Sequence, residues 1–183
     1  MIPYADTNFF TRTYLELPDS FEADRLAARA ERGEARPLPV TWLHRLEVVN
    51  AFQLHIFLAR SPGQHFVTPE QAALAHANFR DDLTKESFIR NAVVPIGDLE
   101  RQFEELAMRH TAKHGFRTYD LLHVASALAL KCDTFWSFDS KASKLAALQV
   151  PQVIQNGRAS FALVDLLHIP VAGLRPLTLT AQH

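Results

Sequence analysis

Short apolar runs alternate along this chain with helical segments of ten residues or more, and that alternation restricts the fold more than any other feature. Residues 2–5, 37–40, a stretch within 88–96 and 134–138 read as strands. Helical periodicity marks 20–34, 41–60, 68–83, 97–115 and 118–131, with a short helix around "SKLAAL". Thr41 and Thr68 stand where helix N-caps belong, Pro69 takes a first helical position, and Gly115 sits where a helix would stop. Strands joined by helices of this length must lie parallel and be covered on both faces. The expectation is an α/β fold, three-layer α/β/α with a short central parallel sheet. It is expected over residues 1–150, with 151–183 a C-terminal extension of weaker periodicity whose role the sequence does not give.

Two of the strand-like runs end on an acid. "MIPYAD" stops at Asp6 and "FWSFD" at Asp139. In a parallel sheet the ligand crevice lies beyond the carboxyl ends of the strands, so both acids would point into one crevice. Two more acids interrupt apolar helix faces: Glu47 in the row Leu43, Ala51, Leu54, Leu58, and Asp120 in the row Val124, Ala127, Leu128. An ionised carboxylate left alone in such a row costs several kcal/mol, roughly, so a partner is required. Each acid alone has a plainer reading. Asp6, Asp120 and Asp139 could each cap a helix, and Glu47 could pair with an arginine or lysine.

Four converging carboxylates would raise one another's pKa values unless cations sit among them. All-oxygen ligation favours hard ions, Mg²⁺ or Mn²⁺. Asp6, Asp120 and Asp139 are expected to hold metal directly or through water, and Glu47 to hold a metal-bound water or a second ion. Whether one metal or two is involved is left open.

Composition sets further bounds. The chain has 183 residues, 48% of them hydrophobic and 21% charged, with a net charge of −1. That balance lacks the bulk basic signature of a non-specific nucleic-acid binder. Holding four acids on metal would leave the remainder basic, however. The single Cys132 excludes an internal disulfide framework and a cysteine zinc site. No apolar run is long enough for a membrane span and no secretory signal is seen, so a cytoplasmic protein is expected. His44 with Glu47, and Asp120 with His123, have a spacing that carboxylate–histidine di-iron bundles use, but the strand-like runs oppose a bundle.

Four stretches in order, "YADTNFF", "LHRLEVVNAF", "RTYDLLHVASALAL" and "FWSFDSKASKLAA", resemble the PIN domain, particularly the VapC-type toxin ribonucleases. The resemblance covers roughly residues 1–150. It implies that Asp6, Glu47, Asp120 and Asp139 form the acidic quartet, with Asn8 and Ser137 as supporting polar residues. It also implies a metal-dependent endoribonuclease for single-stranded RNA, working as a homodimer and neutralised by a small antitoxin. Lys113, Arg117 and Lys141, with His114 and Lys144, would line the crevice and hold RNA phosphates. The rival reading is a non-catalytic PIN-like module that binds RNA or protein without cleaving.

Overall fold

The computed structural model of the protein describes residues 2–17, 20, 28, 32–33, 36–61, 63, 65–86, 88–155 and 158–161. Strand β1 (Pro3–Ala5) runs into helix α1 (Thr7–Leu15), and β2 (Leu38–Val40) into α2 (Trp42–Leu58). Helix α3 (Pro69–Lys85) leads to β3 (Ile89–Asn91). Helix α4 (Ile96–Leu106) continues through a π-helical turn, Ala107–Thr111, and a last turn, Ala112–His114. Then follow α5 (Thr118–Ala129), β4 (Thr134–Ser137), α6 (Ser140–Ala146), β5 (Gln152–Gln155) and β6 (Arg158–Phe161). The helix expected over 20–34 lies, apart from four isolated positions, outside the described residues.

Local chemistry accounts for the helix ends. The Thr68 hydroxyl accepts from Gln71 N–H at 3.1 Å while the Gln71 carbonyl oxygen accepts from Thr68 N–H at 2.8 Å, with Pro69 just inside. Gly115 closes the α4 extension at a φ of 64°, a left-handed conformation that glycine adopts without penalty. The π-helical turn was not expected from the sequence, whose periodicity runs evenly through 97–115.

The strands pair in the order β1-β4-β5-β6, and β2 pairs with β3. β2 lies beside β1. Every pairing is parallel except β5 with β6, which forms an antiparallel edge. The expected extension, 151–183, thus contributes β5 and β6 to the main sheet.

Register explains the layers. Tyr4, Phe135 and Val153 are partners across β1, β4 and β5, and all three pack with α4, α5 and α6. Their neighbours Ala5, Trp136 and Ile154 are also partners, and pack against the opposite layer of α1, α2 and α3. Alternation along each strand therefore feeds two cores, one on each face of the sheet. Tyr4 stacks on Phe135 with ring centroids 5.6 Å apart. Truncating a fully buried phenylalanine of this kind costs about 3–5 kcal/mol.

One expectation is corrected on α2. The sequence put Glu47, Ala51 and Leu54 in the core stripe, but the buried residues are Leu43, His44, Val48 and Phe52. Leu54 is exposed and Glu47 lies at the stripe's margin. His44 takes the core position because its polar atoms are satisfied: Nε2 donates to the Ala5 carbonyl at 2.8 Å, and Nδ1 accepts from Thr41 N–H at 3.0 Å. Burial holds the His44 pKa well below the ordinary value, so the ring is neutral. His44 pins the end of β1 to the start of α2.

Candidate functional site

β1 and β4 are adjacent and parallel, with Ala5 opposite Trp136, so the residues that follow them emerge at one edge of the sheet. Those residues are Asp6 and Asp139. Asp6 is 2% exposed, and its backbone N–H still belongs to the sheet, donating to the Trp136 carbonyl at 3.0 Å. Its side chain then turns to cap α1: Oδ1 accepts from Phe9 N–H at 3.2 Å. Oδ2 accepts the Ser137 hydroxyl proton at 2.5 Å. Ser137 Oγ in turn accepts from Asp139 N–H at 2.8 Å. One hydroxyl thus joins the two strand-end acids.

Burial pushes the Asp6 pKa up to about 6, with the Asp139 charge adding to it, against the lowering effects of His123, Ser137 and Phe9 N–H. The carboxyl lies near the point where a neighbouring cation would decide its ionisation. Asp139 caps α6, Oδ1 accepting from Lys141 N–H at 2.6 Å and Ala142 N–H at 3.1 Å. Its Oδ2 takes no hydrogen bond from any described residue.

Glu47 comes to the site from α2. Its Oε2 accepts from the Thr7 hydroxyl at 2.7 Å and lies 2.6 Å from His123 Nε2. Burial pushes the Glu47 pKa up, but the hydrogen bonds from His123 and the Thr7 hydroxyl outweigh it and hold the carboxyl below its ordinary value. The His123 ring is itself buried, with Nδ1 3.0 Å from the Tyr4 hydroxyl oxygen. The partner of Glu47 is therefore a histidine on α5 rather than an arginine or lysine.

Asp120 lies one helical turn before His123 on α5 and is partly exposed. Its Oδ2 accepts from Arg117 N–H at 3.0 Å, so it caps that helix. No hydrogen bond links it to Asp6, Glu47 or Asp139 among the described residues. Asn8 is exposed in the first turn of α1, with no hydrogen-bond partner among the described residues. Lys113, Arg117 and Lys141 are exposed, at the end of the α4 extension, at the start of α5 and in the first turn of α6. Lys113 and Lys144 both bear electrostatically on His114, so the end of the α4 extension and α6 lie near one another.

The capping readings for the three aspartates all hold, and capping does not exhaust them. No arginine or lysine pairs with Asp6, Glu47, Asp120 or Asp139 among the described residues. Also among the described residues, no three His, Cys, Asp or Glu side chains are grouped closely enough to hold a metal ion together. What does meet is the Asp6–Ser137–Asp139 bridge and the Thr7–Glu47–His123–Tyr4 network. Sequence reasoning missed Thr7 and Tyr4 as members. Thr7 directly follows the strand-end acid, the one local signal available for it.

No protein-family model matches the chain, and no curated protein does. With its short sheet covered on both faces, the chain has a VapC-like PIN fold, shown by likeness to solved structures. One of these is Mycobacterium tuberculosis VapC20, described as a Sarcin-Ricin loop cleaving toxin. It matches at 19% identity with a TM-score of 0.50, over 78% of this chain and 93% of that one. No helix among the described residues is long and apolar enough to cross a membrane.

Proposed function

We propose that this protein is a divalent-metal-dependent endoribonuclease that cleaves single-stranded RNA, acting in the cytoplasm as the toxin of a toxin–antitoxin pair. The observation that carries the reading is the bridged pair Asp6 and Asp139 at the carboxyl edge of the sheet, without an arginine or lysine counter-ion among the described residues.

The donor set suits a hard ion. Asp6 is buried with a pKa raised to about 6, and Asp139 keeps Oδ2 free of hydrogen bonds from described residues. Mg²⁺ or Mn²⁺ would satisfy both carboxylates, and Asp120, which is not grouped closely with them, would reach the ion through water. Such an ion, when bound, lowers the pKa of its water and offsets charge on the leaving oxygen. The chain's own residues do the rest. Ser137 holds Asp6 and Asp139 in fixed relation. Glu47, anchored through Oε2, presents Oε1 to orient and deprotonate the attacking water. Lys113, Arg117 and Lys141 hold flanking phosphates, which fix the register of the strand without reading its sequence. Asn8 supports the site from the first turn of α1. The same reading brings in a small antitoxin and a second copy of this chain as partners.

Purified protein supplied with Mn²⁺ or Mg²⁺ should cut RNA, a Sarcin-Ricin loop RNA, which VapC20 is described as cleaving, being a first substrate to try. EDTA should stop the reaction, and Asp139→Asn should be folded and inactive. Equal cleavage by wild type and Asp139→Asn after the same purification would mark a contaminant and end the proposal. Binding of RNA without cleavage would favour the non-catalytic module instead.

A further inference from the structure

His123 does more than fill space. We propose that Tyr4 and His123 form a buried positioning chain that fixes the tautomer of His123, so that Nε2–H holds the Glu47 carboxylate in its reactive orientation. The proposal rests on the nuclease reading and names what prepares Glu47 for it.

The chain starts at a residue with few choices. The Tyr4 side chain is fully buried. Its phenol oxygen lies 3.0 Å from Nδ1 of His123, its side-chain hydrogen-bond partner among the described residues. Burial holds the phenol protonated, well above its ordinary pKa, so Tyr4 stays a donor. A neutral imidazole that accepts at Nδ1 carries its hydrogen on Nε2. That nitrogen lies 2.6 Å from Glu47 Oε2 and 3.3 Å from the Thr7 hydroxyl oxygen.

The ring has little room to turn over. Its centroid lies 5.0 Å from that of His44 and 6.0 Å from that of Tyr4, and the side chain is only 6% exposed. His44 is fixed in its turn by Ala5 and Thr41. Two donors, His123 Nε2–H and Thr7 Oγ–H, therefore converge on one oxygen of Glu47. Oε1 takes no hydrogen bond from any described residue, and 22% of the Glu47 side chain is exposed. The carboxylate is held by one oxygen and offered by the other. His123 also bears electrostatically on Asp6, so the network stands beside the strand-end pair.

If Tyr4 and His123 merely satisfied one another in the core, altering them would change stability alone. Two measurements separate the roles. In the first, nitrogen NMR of the metal-free protein at neutral pH reads the two ring nitrogens of His123. The expected result is a hydrogen on Nε2 and none on Nδ1, with Tyr4→Phe shifting the population toward a mixture. A hydrogen on Nδ1 in the wild type overturns the proposal, whether or not the protein cuts RNA. In the second, Tyr4→Phe, which conserves shape, should lower kcat by roughly 10–100-fold with KM little changed, the scale typical of groups that orient a functional side chain. His123→Gln, which can still donate to Glu47, should retain more activity than His123→Leu. Should His123→Leu fail to fold, Tyr4→Phe still decides the question. Unchanged kcat in Tyr4→Phe, in a wild-type background that cleaves RNA, overturns the positioning role. A wild type that never cleaves RNA ends the nuclease reading, and the nitrogen spectrum then judges the chain alone.

Discussion

Asp6 and Ser137 are 131 residues apart in sequence and joined by a hydrogen bond of 2.5 Å between Oδ2 and Oγ. Because the same Oγ accepts the backbone N–H of Asp139, one small side chain sets the spacing of the two strand-end acids. The hydroxyl also stabilises the ionised form of Asp6. Ser137→Ala should leave the Asp139 N–H without its partner, at a cost of about 1–3 kcal/mol. It should also raise the Asp6 pKa beyond its present value. A metal ion competes with that proton, so the acid limb of the cleavage profile should move to higher pH. An unmoved acid limb would separate Asp6 from the rate.

Asp6 makes a second prediction, for the metal-free protein. Its pKa rises from 3.8 in the unfolded chain to about 6 in the fold. Between those values the folded state binds more protons, so the stability from this group falls as pH climbs through the window and stays lost above it. In EDTA, Asp6→Asn removes the penalty while keeping the acceptor for Phe9 N–H, and its amide N–H can donate to the Ser137 oxygen in place of the bond Ser137 now donates. Above about pH 6 the variant should be the more stable protein, by on the order of 2–3 kcal/mol. Near pH 4 the difference should disappear. Thermal melts at the two ends of the window check it, and a difference independent of pH would show that burial of Asp6 carries no such cost.

Asp120 has one established partner, the Arg117 N–H, and one proposed, the ion. Asp120→Ala should cost about 1 kcal/mol whether or not metal is present, because the capping acceptor is gone. Asp120→Asn keeps the acceptor and should melt close to wild type. If Asp120 holds the ion, Asp120→Asn should lose most of the cleavage without losing the fold. Full cleavage by Asp120→Asn would reduce Asp120 to a cap.

Strands β1 to β4, most of the described helices and the edge on which Asp6 and Asp139 emerge could be read from the sequence, because each follows from local periodicity and from the direction of parallel strands. Long-range partners could not. His44 looks polar in sequence, which shifted the core stripe of α2 by one position. Its burial depends on the Ala5 carbonyl, 39 residues away. The Tyr4–His123 contact spans 119 residues and has no local signature. β5 and β6 were missed for a different reason. Their runs of four residues each are too short to register a period.

The central claim is that Asp6 and Asp139 jointly hold a divalent cation. Titration calorimetry of the EDTA-treated, desalted protein with Mn²⁺ tests it without any need for RNA. The wild type should bind, and Asp6→Asn and Asp139→Asn should each weaken binding by roughly 10-fold or more. Asp98→Asn, which alters only an exposed pair with Arg101, should bind as the wild type does. Equal Mn²⁺ affinity in the wild type and both site variants would contradict the account.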